Sequence, residues 1–132
     1  MAELTNTQAK ETIRAANEKF VQRFEGQQFM QLAELYTLDG AVLPPNMEMI
    51  RGREAITGLW QAVYGSGIQS VRLDTVEVED CGHLAMEVGF YELYSAERQL
   101  LDKGKYLVIW KHAEGELKLH RDIFNSSLPV QK

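Results

Sequence analysis

The chain has 132 residues, of which 45% are apolar and 25% charged, a composition typical of one folded domain with its own core. We therefore expect residues 1–132 to form a single domain. The formal net charge of -5 gives no general attraction to phosphate backbones, and the basic residues are scattered, so nucleic acid is not an expected partner. No stretch approaches the roughly 20 apolar residues that span a bilayer, so a membrane is not an expected partner either.

The cysteine content and the N-terminal segment bear on the compartment. The single cysteine, Cys81, cannot form an intramolecular disulfide. The N-terminal segment is polar and charged, without the apolar region of a signal peptide. Together these features predict a protein of the reducing cytoplasm.

The first half of the chain carries helical patterns. Thr5 and Gln8 have the spacing of a capping box, which predicts a helix that begins there and ends at Gly26. A shorter helix is expected over residues 29–36, and a third over residues 52–65. The first helix places apolar residues at the spacing of one helical face: Ile13, Ala16, Phe20 and Phe24.

Strand patterns dominate the rest. Residues 41–43 form a short apolar strand, which two prolines end. The second half alternates apolar and polar residues in four runs separated by turn signals, and this order of helices and strands predicts an α+β fold. Val71 and Leu73 alternate in the opposite phase to Val76 and Val78, which predicts a β-bulge near residues 74–75.

Four segments resemble a known superfamily: LYTLDGAVLPPN, IRGREAI, GKYLVIWK and HRDIFNS. Together with the element order, they are similar to the nuclear transport factor 2-like and ketosteroid isomerase-like proteins, in the polyketide-cyclase-like (SnoaL-like) branch. The resemblance implies a cone-shaped fold in which three N-terminal helices and a curved antiparallel sheet enclose a pocket. It implies no single reaction, because the fold hosts isomerases, cyclases, dehydratases, hydrolases and non-catalytic binders.

The ketosteroid isomerase mechanism can be compared with this sequence through the resemblance. Those enzymes use a carboxylate base with a tyrosine and a protonated aspartic acid as oxyanion hole. Alignment by eye places Pro44 at the base, Phe20 at the tyrosine and Leu107 at the aspartic acid. None of these side chains transfers a proton, so isomerisation by that mechanism is not expected.

A different pair of residues is a candidate for proton transfer. Alternation along the last strand places His120 and Asp122 on one face, and the alignment directs that face into the pocket. A histidine oriented by a carboxylate acts as an acid or a base. The alternative is that both groups pair with polar side chains such as Lys105 across the sheet.

The pocket wall is expected to be apolar, although plain core packing is the alternative role for each residue. Three dispersed histidines give no metal-ligand spacing, so neither a metal nor another cofactor is expected. The candidate ligand contacts are Phe20, Phe24, Leu43, Asn46, Met47, Trp60, Tyr64, Leu107, Ile109 and Phe124.

Two functions from different classes remain. One is a cofactor-free isomerase, cyclase or lyase that acts on a small apolar carbonyl compound by acid–base catalysis. The other is a ligand-binding or dimerisation domain without catalysis. In either case we expect a homodimer through the outer sheet face, with Trp110 as anchor. The outward set on which this expectation rests is Tyr106, Val108, Trp110, Leu117, Leu119 and Ile123.

Overall fold

The computed structural model describes residues 5–129. Three helices precede or interrupt the first strands: α1 (Asn6–Glu25), α2 (Phe29–Ala33) and α3 (Arg53–Gly65). The strands are β1 (Tyr36–Leu43), β2 (Ile50–Arg51), β3 (Ser70–Asp80), β4 (Leu84–Tyr94), β5 (Leu100–Ala113) and β6 (Glu116–Ser126). The predicted α+β class is confirmed.

The start of α1 follows the predicted capping box. The Thr5 hydroxyl accepts from the Gln8 backbone N–H at 3.1 Å, and the Gln8 side chain accepts from the Thr5 backbone N–H at 3.0 Å. These two bonds satisfy donors that the first helical turn leaves unpaired. Gly26 ends the helix, as predicted.

The six strands form one curved sheet in the order β2-β1-β6-β5-β4-β3. Strands β3 to β6 are joined by antiparallel pairing, as expected. The pairing of β1 with β6 is parallel, so the sheet is mixed rather than wholly antiparallel. Because β2 and β3 are free edges, the sheet does not close into a barrel.

Two bulges decide which side chains face the helices. In β3, Thr75 pairs with Gly89 and Glu77 with Val88, which leaves Val76 unpaired and confirms the predicted bulge within about one residue. In β6, Arg121 pairs with Ile109 and Leu119 with Trp110, which leaves His120 unpaired. This second bulge was not predicted. It reverses the alternation of β6, so that Leu119 before the bulge and Asp122 after it both lie on the side of the sheet that lines the cavity.

We call the sheet side packed against the helices the inner face, and the opposite side the outer face. Five members of the set predicted to point outward are buried in the core: Tyr106, Val108, Trp110, Leu117 and Leu119. Only Ile123 is exposed, at 41%. The predicted phase of β5 is therefore wrong by one residue, and the bulge at His120 accounts for the error in the first half of β6.

No helix within residues 5–129 combines the length and apolar character that crossing a bilayer requires.

Candidate functional site

A small cavity lies between the inner face, α1 and α3. Its volume is about 60 Å³, less than the roughly 150 Å³ that hold a benzene ring in an engineered apolar cavity. Most of its lining is aliphatic or aromatic. The polar lining residues are Asn17, Tyr91, Tyr106 and Asp122. A larger ligand therefore requires movement of the half-buried lining side chains, which include Val63, Leu73 and Leu93.

Asp122 is a buried carboxyl at this cavity. Its Oδ2 accepts a hydrogen bond of 2.7 Å from the Tyr36 hydroxyl. Burial raises the pKa of Asp122 to about 6, against a smaller opposing effect of the Tyr36 hydrogen bond, and the charge of Glu87 raises it further. Burial and the adjacent Asp122 also raise the pKa of Tyr36. Tyr36 is thus a permanent donor near neutral pH, while Asp122 gains or loses a proton.

A second buried carboxyl, Glu87, lies behind the cavity wall and is fully shielded from solvent. Its Oε2 accepts from Tyr106 Oη at 2.6 Å, Thr75 Oγ1 at 2.8 Å and Asn17 Nδ2 at 2.9 Å. Its Oε1 accepts from Trp110 Nε1 at 3.0 Å. These hydrogen bonds to Glu87 hold the Tyr106 and Asn17 side chains in fixed positions at the cavity.

Two glycine–tyrosine pairs shape the same wall. Gly89 lies opposite Tyr106, and Gly104 lies opposite Tyr91, on neighbouring strands. A Cβ at Gly89 would collide with the Tyr106 ring, and one at Gly104 would collide with Tyr91 and a backbone carbonyl. The glycines therefore leave room for both rings. Tyr91 is anchored in turn by a 2.9 Å hydrogen bond to Asp102.

Trp60 forms the α3 side of the cavity. Its ring meets Phe20 edge-on at 5.2 Å between centroids and stacks on Phe124 at 6.1 Å. The indole Nε1 is buried and has no hydrogen-bond partner within residues 5–129. The indole N–H is directed towards the Tyr36 hydroxyl and slightly opposes the rise of the Tyr36 pKa. The contact does not have the geometry of a hydrogen bond. An unmade hydrogen bond at a buried donor costs about 1–3 kcal/mol.

The predicted pair His120 and Asp122 does not share the cavity. His120 is the bulge residue of β6, and its Nδ1 lies 2.9 Å from Thr37 Oγ1 and 3.7 Å from Asp39 Oδ1. Burial, and next the charge of Arg121, lower the pKa of His120. The expectation that the imidazole faces Asp122 is wrong, because the bulge breaks the alternation on which it rested.

Three of the ten predicted ligand contacts line the cavity: Phe20, Trp60 and Phe124. Phe24 and Tyr64 lie next to it, in an aromatic cluster with Phe29. The remaining five lie away from the lining: Leu43, Asn46, Met47, Leu107 and Ile109.

Leu107 and Ile109 are on the outer face because their strand has the opposite phase to the one predicted. The alignment that placed Leu107 at the oxyanion position is therefore wrong at β5. Asn46 and Met47 are exposed in the loop after β1.

Sequence reasoning missed four residues that define the site: Asn17, Tyr36, Glu87 and Tyr106. Tyr36 was assigned to the second helix but begins β1. One signal was present, because Asn17 and Glu87 are polar residues within an apolar helix stripe and an apolar strand. A polar residue in such a position is buried only when it has partners, so the two could have been expected to meet.

Residues 5–129 bring together no group of three or more histidine, cysteine, aspartate or glutamate side chains suited to a metal ion. Asp122 is the carboxyl that lines the cavity. A carboxyl with a pKa of about 6 can accept or donate a proton near neutral pH.

Solved structures of other proteins share this fold. An NTF2-like protein with a cystatin-like fold from Novosphingobium aromaticivorans is 16% identical, with 89% of this chain and 81% of that chain covered and a TM-score of 0.78. A ketosteroid isomerase-like protein from Erwinia carotovora is 17% identical, with 90% and 96% covered and a TM-score of 0.74. A Catenulispora acidiphila structure in complex with S-DNPA is 13% identical, with 89% and 92% covered and a TM-score of 0.75.

No family model matches the chain, and no curated protein matches its sequence significantly. The resemblance predicted from the sequence is confirmed by the solved structures, and at these identities the likeness concerns the fold. The chain thus has the cone-shaped, NTF2-like fold that ketosteroid isomerase-like proteins also adopt.

Proposed function

We propose that this protein is a cofactor-free acid–base catalyst that moves a proton on a small, neutral carbonyl compound, in an isomerase, cyclase or lyase reaction. Asp122 is the proposed proton acceptor. The observation that carries the proposal is a buried carboxyl with a pKa raised to about 6 at an apolar cavity. Assignment to the polyketide-cyclase-like branch is part of the proposal.

The chemistry follows from the surroundings of Asp122. Above pH 6 the carboxyl is mostly ionised, and its poor hydration makes it a stronger base than an exposed aspartate. The hydrogen bond from Tyr36 holds Oδ2, which leaves Oδ1 to take a proton from a carbon next to a carbonyl group. His120 lies outside the cavity, so the proposal gives it no contact with the substrate.

Proton exchange with solvent tests the proposal without knowledge of the substrate. The probe is 2-tetralone in D₂O, a ketone with acidic α-protons, and α-deuteration is followed by NMR. We expect the wild type to accelerate exchange, with a rate that rises through pH 6. Asp122→Asn should lower the enzymatic rate by roughly 10²–10⁴-fold, whereas the matched control His120→Asn should retain it.

Equal exchange rates in wild type and Asp122→Asn would contradict the catalytic role. The second candidate, a pocket that only binds a ligand, is favoured by the small cavity of about 60 Å³. The S-DNPA complex of a protein with the same fold is a precedent for ligand binding. Under this alternative, a ketone would raise the melting temperature of both proteins while neither accelerates exchange.

The proposed assembly is a homodimer through the outer face, with different side chains from those predicted. A band of apolar residues crosses β4, β5 and β6: Met86, Val88, Phe90, Leu107, Ile109 and Ile123. Phe90 is 56% exposed, and Leu107 lies between Val88 and Ile123. Continuous exposed apolar surface is characteristic of an interface. We propose the cytoplasm as its location, which suits the exposed thiol of Cys81.

Sedimentation tests the dimer. The wild type should sediment at twice the chain mass of 15.1 kDa. Leu107→Glu places a charge in the middle of the apolar band and should give a monomer. Lys19→Glu on the exposed side of α1 is the control and should remain dimeric. A wild type that sediments as a monomer at micromolar concentration would contradict the assembly.

A further inference from the structure

Most polar groups at the cavity are already satisfied by the protein. Asn17 and Tyr106 both donate to Glu87, at 2.9 Å and 2.6 Å. Tyr91 donates to Asp102 at 2.9 Å. These side chains fix the shape of the wall but have no free donor directed at a ligand.

Two polar atoms at the cavity remain without a protein partner. Trp60 Nε1 donates to no residue within the described range 5–129. Asp122 Oδ2 is taken by Tyr36, and Oδ1 accepts from no side chain among the same residues. Both side chains line the cavity. The free groups are thus one donor and one acceptor, both beside the Tyr36 hydroxyl.

Packing against two aromatic rings fixes the direction of the Trp60 indole N–H. The side chain is 8% exposed, and its ring lies between Phe20, which meets it edge-on, and Phe124, which stacks on it. A buried indole N–H normally has a partner. The other side-chain donors named at the cavity all have acceptors, so the unpaired Trp60 N–H is a position at which a ligand acceptor would complete the structure.

The charges at the cavity restrict the ligand. Asp122 lines it, Glu87 lies behind the wall, and the described lining contains no lysine, arginine or histidine. An anionic ligand would lose its hydration, gain no opposite charge and be repelled by two buried carboxyl groups. A neutral ligand is not repelled, needs no opposite charge and loses less hydration than an anion.

We propose that the cavity binds a neutral ketone or aldehyde, whose carbonyl oxygen accepts from Trp60 Nε1–H while its α-carbon faces Asp122 Oδ1. Trp60 is then the residue that selects the carbonyl group. This inference rests on the proposed function, which supplies the neutral carbonyl compound, and adds the residue that binds its carbonyl oxygen. Binding of the carbonyl oxygen by Trp60 does not itself require Asp122 to remove a proton.

Three ligands of similar shape separate the contributions of the carbonyl acceptor, the ligand charge and the apolar ring to binding. Acetophenone is a neutral ketone, benzoate is a matched anion, and ethylbenzene has no acceptor. The protein has two tryptophans, so a ¹H–¹⁵N spectrum contains two indole signals, which Trp60→Phe assigns. Trp110 donates to Glu87 and provides an internal control.

At pH 7.5, acetophenone should move the Trp60 indole proton downfield in a saturable manner and leave the Trp110 signal in place. Benzoate should cause no shift at the same concentrations. Trp60→Phe retains an apolar ring, and we expect it to weaken acetophenone binding about 5–10-fold while ethylbenzene binding stays within about twofold.

Three results would overturn the inference: an unmoved Trp60 signal while acetophenone shifts other cavity signals, benzoate binding as tight as acetophenone binding, or no acetophenone binding up to its solubility. Failure of the proposed function has a different signature. In that case acetophenone shifts the Trp60 signal, but α-proton exchange is equal in wild type and Asp122→Asn.

Discussion

The buried inner face of β4 carries a charged side chain, whereas its partly exposed outer face is apolar. A buried and an exposed face are usually expected to have the reverse polarity. The outer face carries Leu84, Met86, Val88 and Phe90, and the inner face carries Ala85, Glu87, Gly89 and Tyr91. The side with the carboxylate is the buried one, with Glu87 at 0% exposure, whereas Phe90 is 56% exposed. Polarity alone therefore does not identify the inner face of a sheet that encloses a cavity.

The difference has a physical cause. A buried carboxylate is tolerated when several donors surround it, and the inner face supplies Tyr106 and Trp110 for Glu87 from the neighbouring strand. Gly89 and Gly104 leave room on this face for the tyrosine rings that lie opposite them. On the outer face of β4 the side chains from Leu84 to Phe90 are apolar, and this band is suited to contact with another surface.

Removal of the Glu87 carboxylate should have the largest effect on stability. Glu87→Ala leaves the donors of Asn17, Thr75, Tyr106 and Trp110 buried without an acceptor, at an expected loss of roughly 3–5 kcal/mol in the free energy of unfolding. Urea denaturation measures it.

The neighbouring outer-face change, Val88→Ala, is the control for Glu87→Ala. It should cost about 1 kcal/mol, because it deletes only part of a half-buried aliphatic side chain. Equal losses for the two variants would contradict the proposed difference between the faces.

Asp122→Asn should stabilise the protein at neutral and alkaline pH. The pKa of Asp122 is about 6 in the folded state and about 3.9 when unfolded, so wild-type stability falls as pH rises between these values. Asparagine does not ionise, and its advantage should be absent near pH 3.5 and reach about 2–3 kcal/mol at pH 8. Thermal or urea unfolding across this range measures the difference.

Asp39→Asn provides the opposite case for the same measurement. Asp39 is exposed, and hydrogen bonds to the carboxylate lower its pKa. A lowered pKa contributes stability above the unfolded value and loses it on acidification, so this variant should be less stable than wild type at neutral pH. An Asp122→Asn advantage independent of pH would show that ionisation is not its origin.

Gly104→Ala tests the glycine–tyrosine pairs of the inner face. The added methyl group meets a backbone carbonyl and the Tyr91 ring, and such overpacking costs roughly 1–3 kcal/mol. Gly58 in α3 has open space around it, and Gly58→Ala should stabilise the helix by about 0.5–1 kcal/mol. Opposite signs in denaturation midpoints are the expected result, and a neutral Gly104→Ala would contradict the close approach of Tyr91.

His120→Gln should have the smallest effect. Its contact with Thr37 is worth about 1 kcal/mol or less at pH 7.5. Because the folded-state pKa of His120 is lowered, wild-type stability should decrease as pH falls below about 6.5, and the variant should lose this dependence. His83→Gln, in the exposed turn between β3 and β4, is the control and should behave as wild type.

Much of the fold was accessible from local patterns. The capping box at Thr5, the end of α1 at Gly26 and the bulge in β3 depend on residues close together in sequence. The bulge at His120 lacked such a signal, because the alternation around it is equally compatible with either phase. The parallel pairing of β1 with β6 joins residues about 80 positions apart, beyond the reach of any local pattern.

The candidate site likewise combines features that the sequence indicates with features that depend on tertiary structure. The sequence by itself determined that Asp122 is an ionisable group in the last strand and that Phe20, Trp60 and Phe124 are available for a pocket. Only the tertiary structure decided that Asp122 meets Tyr36 rather than His120 and that Glu87 is buried. The reason is physical: periodicity specifies which residues share a face, whereas the register between distant strands decides which face is buried and which polar groups find partners.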